Sequence, residues 1–133
     1  MLEFLTRYRD AGLLLLRLGI GVMFIIHGGP KLLEGPELWT GIGAAMKNFG
    51  ITWAPAFWGF MAAFAETAGG ACLILGFMMR PACILLLVTM IVAATFHLAK
   101  GDGIAGASHA IEAGVLFASL LLIGPGRYSI DRA

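Results

Sequence analysis

Long apolar segments alternate with short polar ones along the whole chain. Four of the apolar segments approach or exceed the roughly 20 residues that a helix needs to cross a bilayer. They lie at 11–29, 54–79, 82–99 and 108–123. The connections between them are rich in Gly, Pro and charged residues, and Gly-Pro-Gly at 124–126 follows the last segment. The pattern therefore predicts an all-α membrane protein, a bundle of four transmembrane helices that forms a single domain over 1–133.

The segment between the first two spans is too mixed in polarity to cross a membrane. Its apolar residues recur at helical spacing, and they are Leu38, Ile42, Ala45, Met46 and Phe49. This spacing predicts a short amphipathic helix that lies in the membrane interface between helices 1 and 2. We expect the first transmembrane helix to end at Pro30, which follows a Gly pair, because proline removes a backbone donor.

Composition excludes the class of conventional soluble enzymes. The chain is 59% hydrophobic and 13% charged, against roughly 45–50% and about 25% in average soluble domains. A soluble domain of this size buries only about 60–70% of its surface and has no place for so much apolar area. The net charge of +1 and the lack of a Lys/Arg run indicate no nucleic-acid partner. The partner that the composition predicts is therefore the lipid membrane.

The distribution of Lys and Arg over the connections predicts the orientation of the chain. The side that holds both termini carries five of them, namely Arg7, Arg9, Arg80, Arg127 and Arg132. The opposite side carries three, namely Lys31, Lys47 and Lys100. Because cytoplasmic loops are enriched in these residues, we expect both termini in the cytoplasm.

Ionisable residues inside the spans are costly in lipid and by default mark function. The hairpin topology places His27, His97 and His109 at the same, extracytoplasmic end of the bundle. Glu112 follows His109 by three residues, so it shares a helix face with it one turn deeper. Lys31 falls at a similar level. We expect these five residues to form one outer polar cluster, although His97 and His109 also fit simple interfacial roles.

Two further charges lie deeper, with Glu66 near mid-membrane and Arg17 in the cytoplasmic half of the first span. They form either a row of charged side chains beneath the cluster or an interhelical ion pair that fixes packing. The pattern leaves open whether Arg17 pairs with Glu66 or with Glu112. Three His and one Glu are also a ligand set for Zn, Cu or Fe. No helix carries two of the histidines at ligand spacing, however, so we do not expect a metal.

Several motifs in order resemble those of the DoxX family. The first span holds LRLG at 16–19 and HGGPKL at 27–32, and the second holds ETAGGACLILG at 66–76 followed by Arg80. Glu112 and GPGRYSID at 124–131 are similar to the C-terminal end of the family. The resemblance carries over onto Arg17, His27, Gly28, Lys31, Glu66, Gly70, Arg80 and Glu112.

The resemblance implies a bacterial or archaeal inner-membrane protein of four helices, and it points to a quinone-linked redox subunit. Relatives in the family include a membrane subunit of thiosulfate:quinone oxidoreductase. In this interpretation His27 hydrogen-bonds a quinone carbonyl, and Glu66 or Glu112 relays protons. The remaining candidate ligand-binding residues are Arg17, Lys31, His97 and His109, the two histidines being added from their depth alone.

Two alternative functions stay open from the sequence. The first is a structural or accessory subunit of a larger membrane complex, in which the ion pairs specify packing. The second is a transporter or handling protein for small molecules or metals. The chain has no electron carrier of its own, so a redox role requires a partner protein or a substrate that delivers electrons. We therefore expect a partner protein or a homo-oligomer.

Overall fold

Five α-helices follow one another along residues 1–131, which are the residues that this computed structural model describes. The helices are α1 (Arg9–Glu34), α2 (Pro36–Gly43), α3 (Pro55–Leu75), α4 (Met79–Ala99) and α5 (Gly103–Ile123). Short 3-10 turns precede α1 at Glu3–Tyr8 and follow α2 at Ala44–Phe49. In length and composition α1, α3, α4 and α5 are each able to cross a membrane. The all-α fold with four spans is thus confirmed. Arg132, which was counted for the orientation, lies outside the described residues.

The first helix continues through Pro30 to Glu34, so the expected end at Pro30 is wrong. Pro30 is exposed and lies about one turn before the last residue of the helix, Glu34. In that last turn the Trp39 indole N–H donates a hydrogen bond to the Lys31 carbonyl at 2.8 Å, so a carbonyl at the end of the helix has a partner. The helix instead ends at Gly35, whose φ of 97° breaks the helical path.

The other helix ends differ from the predicted spans by a few residues. α3 ends before Gly76, which takes a left-handed φ of 65°. α4 begins at Met79, because the Asp131 carboxylate accepts hydrogen bonds from the backbone N–H groups of Met78 and Met79 at 2.9 and 2.8 Å. α5 begins at Gly103, in a stretch of small residues that hydropathy alone does not assign to a span.

The short helix predicted between the first two spans is present as α2, and glycine contacts hold it against α3. A Cβ added to Gly59 would overlap the Trp39 carbonyl, and one added to Gly43 would overlap the Pro55 carbonyl. The Trp39 and Phe60 rings meet edge to face at 5.1 Å between centroids. Backbone-to-backbone approach therefore fixes α2 over the first turns of α3.

Glycines also set the crossing of α1 and α3. A Cβ on Gly21 would lie 2.6 Å from the Gly70 carbonyl oxygen, and one on Gly70 would lie 2.6 Å from the Gly21 carbonyl oxygen. One added to Gly28 would lie 2.6 Å from Cβ of Glu66. Small residues at such interfaces let membrane helices approach closely, so these glycines are packing contacts.

The spans pack in the order α1, α3, α4, α5, and the bundle is open between the first and the last. No Cα atom of α1 lies within 8 Å of a Cα atom of α5. Side chains bridge this gap, with the buried rings of Phe24 and Phe117 at 5.0 Å between centroids. We call this gap, bordered by α1 and α5, the α1–α5 cleft.

Candidate functional site

A partly buried ion pair joins α1 to α3. The ammonium Nζ of Lys31 lies 3.2 Å from each carboxylate oxygen of Glu66. The side chain of Glu66 is 9% exposed and that of Lys31 is 37% exposed. Gly28, one turn before Lys31, allows the close approach of the helices that brings the two charges together. Pairing offsets the high free energy of a carboxylate that has been removed from water.

This ion pair forms part of the wall of a cavity of about 520 Å³ between α2, α3 and α4. That volume lies within the range of about 300–1,000 Å³ that is typical of small-molecule sites. Apart from Lys31, Glu66 and Glu37, the lining is mainly apolar, and includes Leu38, Ile42, Met46, Met61, Leu85, Val88, Val92 and Phe96. Such a cavity suits an apolar molecule with a few polar atoms at one end.

Trp58 adds a hydrogen-bond donor to the same wall. It lines the cavity, and its indole N–H is buried without an acceptor among residues 1–131. A buried donor without a partner costs about 1–3 kcal/mol, so an acceptor that reaches this N–H is favourable. Trp58 is not among the residues that the sequence pattern singled out. The available signal was spacing, because Trp58 lies about two helical turns before Glu66 and so shares its face.

His27 and His109 meet across the outer part of the α1–α5 cleft. Their ring centroids are 5.6 Å apart, and the ring of Phe24 lies 6.1 Å from the first and 6.3 Å from the second. Both histidines are exposed at the bundle surface. Neither lines the cavity described above.

His97 lies apart from these two histidines, at the turn between α4 and α5. Its Nδ1 donates a hydrogen bond to the Asp102 carboxylate at 2.7 Å, and Lys100 lies 3.5 Å from the same carboxylate oxygen. The hydrogen bond from His97, aided by the charge of Lys100, lowers the pKa of Asp102. This arrangement ties the end of α4 to the start of α5.

The five-residue outer cluster expected from depth is divided in the structure. Lys31 turns to Glu66, His97 pairs with Asp102, and His27 and His109 meet each other. Glu112 is exposed on α5 and has no ion-pair or hydrogen-bond partner among residues 1–131. Within that part of the chain, no group of three or more His, Cys, Asp or Glu side chains is placed to hold a metal ion.

Of the pairings that the sequence left open for Arg17, neither the one with Glu66 nor the one with Glu112 forms. Arg17 is 1% exposed. Its guanidinium donates to the carbonyls of Leu73 at 3.1 Å, Pro125 at 2.8 Å and Tyr128 at 2.8 and 2.9 Å. These carbonyls belong to the last turn of α3 and to the segment after α5. Arg17 therefore has a structural role at the opposite end of the bundle from the cavity.

Comparisons with known proteins identify a family and a relative to which the chain is similar. The family model described as DoxX matches residues 12–99. A protein of Haemophilus influenzae, described as uncharacterized, is 33% identical over an alignment that covers 96% of this chain and 93% of that protein. No solved structure matches the chain.

Proposed function

Since the chain belongs to the DoxX family, we propose that this multi-pass membrane protein binds a quinone in the cavity between α2, α3 and α4. It acts there as the membrane subunit of a quinone-linked oxidoreductase in a bacterial or archaeal inner membrane. The observation that carries the proposal is the pairing of an apolar cavity with polar groups on one wall. These groups are the Lys31–Glu66 ion pair and the unpartnered N–H of Trp58.

The residues of the cavity fit the two parts of such a molecule. A quinone has carbonyl oxygens that accept hydrogen bonds and a long apolar tail. The indole N–H of Trp58 and the ammonium of Lys31 are donors for the carbonyl oxygens. Leu85 and Val88 line the cavity and are 43% and 52% exposed, so the cavity opens to the surface of the bundle at α4. The tail has a route to the bilayer there.

Quinone reduction takes up two electrons and two protons. In this chain Glu66 is the carboxylate that relays protons inside the bundle, and Lys31 orients it by donating to both oxygens. The hydrogen-bonding role expected for His27 passes to Trp58 and Lys31, because His27 does not line the cavity. The electrons come from a partner protein or from a substrate.

The test is quinone binding to the purified chain in lipid nanodiscs, with a short-tailed quinone as the probe. Loss of one hydrogen bond of about 0.5–1.5 kcal/mol corresponds to roughly 2- to 13-fold weaker binding, and we expect this for Trp58→Phe. Lys31→Met is expected to weaken binding at least as much. His27→Ala is the matched control at the cleft and is expected to bind as wild type. Equal affinity in all four proteins, or no binding to wild type, would overturn the proposal.

The proposed orientation places both termini in the cytoplasm. Support comes from the basic residues, because Arg80 and Arg127 lie at the same end of the bundle as the N-terminal segment. The backbone N–H of Arg127 donates to the Asp10 carboxylate at 3.1 Å, and Arg80 donates to the Leu121 carbonyl at 3.0 Å. Reporter fusions at each terminus, active only on one side of the membrane, test this orientation.

A further inference from the structure

We propose that two copies of this chain associate through the α1–α5 cleft, with Glu112 of each copy pairing with His109 of the other. The proposal does not depend on the quinone site, since neither residue lines the cavity. It rests on the depth of Glu112, on its exposure, and on the histidines that share its surface.

Glu112 lies at the middle of a membrane span. It is the tenth of the 21 residues of α5. At 1.5 Å per residue it is about 14 Å from one end of the helix and about 17 Å from the other. The hydrocarbon core of a bilayer is about 30 Å thick. Glu112 is therefore at the depth where an ionised side chain is least favourable.

The side chain of Glu112 nevertheless points away from its own bundle. The buried positions of α5 include Ala110, Ala113, Gly114 and Phe117, which pack on the rest of the bundle. Glu112 is exposed instead and has no partner among residues 1–131. Ionisable residues in membrane helices almost always face the bundle interior, a water-filled cavity or a partner. Glu112 conforms to this rule when a protein surface covers its carboxylate and supplies a base as its partner.

The base is available on the same surface of the chain. His109 precedes Glu112 by one helical turn and is exposed on the same flank of α5. Across the cleft its ring meets that of His27 at 5.6 Å. The surface thus carries one acid and two imidazoles side by side. Such a surface is complementary to itself, which is the requirement for a two-fold interface between identical subunits.

The flank of α5 that carries Glu112 is exposed and available to a second copy. Val115, about one turn beyond Glu112, is 62% exposed, and no Cα atom of α1 lies within 8 Å of a Cα atom of α5. In a parallel two-fold pair, the α5 helices lie side by side at the same depth. Glu112 then lies within one helical turn of the second copy's His109.

The experiment measures association of the full chain in liposomes of phosphatidylethanolamine and phosphatidylglycerol, by energy transfer between two fluorescent labels at the C-terminus. Wild type is expected to associate at low protein-to-lipid ratio. Glu112→Leu and His109→Ala are each expected to weaken association by at least tenfold. Ile91→Ala, on the exposed face of α4, is the matched control and is expected to associate as wild type.

A mixed sample separates pairing between copies from a fold defect. Copies with Glu112→Leu retain His109, and copies with His109→Ala retain Glu112, so a mixed pair keeps one acid–base contact. Energy transfer between the two variants is expected to exceed that within either variant alone. A monomeric wild type, which would assign the surface to another protein or to lipid, overturns the proposal. Association of Glu112→Leu equal to that of wild type overturns it as well.

Discussion

Replacing Arg17 with methionine tests whether one guanidinium holds the end of α3 to the C-terminal segment. The side chain is 1% exposed and lies within 3.1 Å of the carbonyl oxygens of Leu73, Pro125 and Tyr128. Methionine matches the aliphatic stem of arginine but lacks the guanidinium, so the change removes the hydrogen bonds and the charge together. The variant removes the guanidinium donor from all three carbonyls, of which that of Leu73 keeps a hydrogen bond from the Gly76 N–H at 3.2 Å.

The expected loss follows from the number of carbonyls involved. Each buried acceptor that loses its partner costs about 1–3 kcal/mol. The three share one side chain, so their contributions are not additive, and local relaxation lowers the sum. We expect a loss of about 2–4 kcal/mol in the free energy of unfolding, because the Pro125 and Tyr128 carbonyls lose the guanidinium donor while that of Leu73 keeps a backbone donor. This is a large part of the roughly 5–15 kcal/mol that stabilises a typical domain.

The assay is unfolding of the purified protein in mixed micelles by increasing SDS, followed by tryptophan fluorescence. Arg9→Met is the matched control, because Arg9 is exposed, and it is expected to change the unfolding free energy by under about 0.5 kcal/mol. Arg17→Lys keeps the charge but loses the planar fork of donors, so it is expected to fall between the two. An Arg17→Met protein as stable as the Arg9→Met control would refute the structural role.

Two further predictions concern α2 and the turn between α4 and α5. Gly59→Val places side-chain atoms where the Trp39 carbonyl lies, so α2 should leave α3 and protease cleavage within 36–49 should accelerate. Gly41→Val, where an added Cβ meets nothing within 4 Å, should not show this. The His97 hydrogen bond lowers the pKa of Asp102 in the folded protein. The contribution of this hydrogen bond to stability is therefore complete above the unfolded-state pKa of about 3.9, and it is lost as the pH falls through the lowered pKa of the folded state. Asp102→Asn should remove that acid-dependent step from a series of melting curves, and an unchanged step would contradict the assignment.

Much of the fold was predictable because transfer into lipid is a local property of each segment. A run of about 20 apolar residues is favourable in a bilayer whatever it packs against, so four spans follow from hydropathy alone. The end of α1 was not predictable in this way. Lys31, in the turn after Pro30, contacts both Trp39 and Glu66 of α3, and these contacts come from elsewhere in the chain.

The same distinction between local properties and tertiary contacts applies to the candidate site. Sequence identified the ionisable residues and their approximate depths, including Glu66 and Lys31, because depth follows from position along a span. It did not determine their partners, since these depend on how each helix is rotated about its axis. The contacts of Gly21 and Gly28 with α3 fix that rotation and direct Lys31 to Glu66.

Arg17 shows most clearly what only the tertiary structure decided. Its depth suggested a carboxylate partner, yet its acceptors are backbone carbonyls, including those of Pro125 and Tyr128 more than 100 residues further along the chain. Every residue carries a carbonyl, so no side-chain pattern marks the ones that a guanidinium will find. The sequence by itself determined the membrane class, the number of spans and the family. The folded chain determined which charges are paired and which, as with Glu112, are left to face outward.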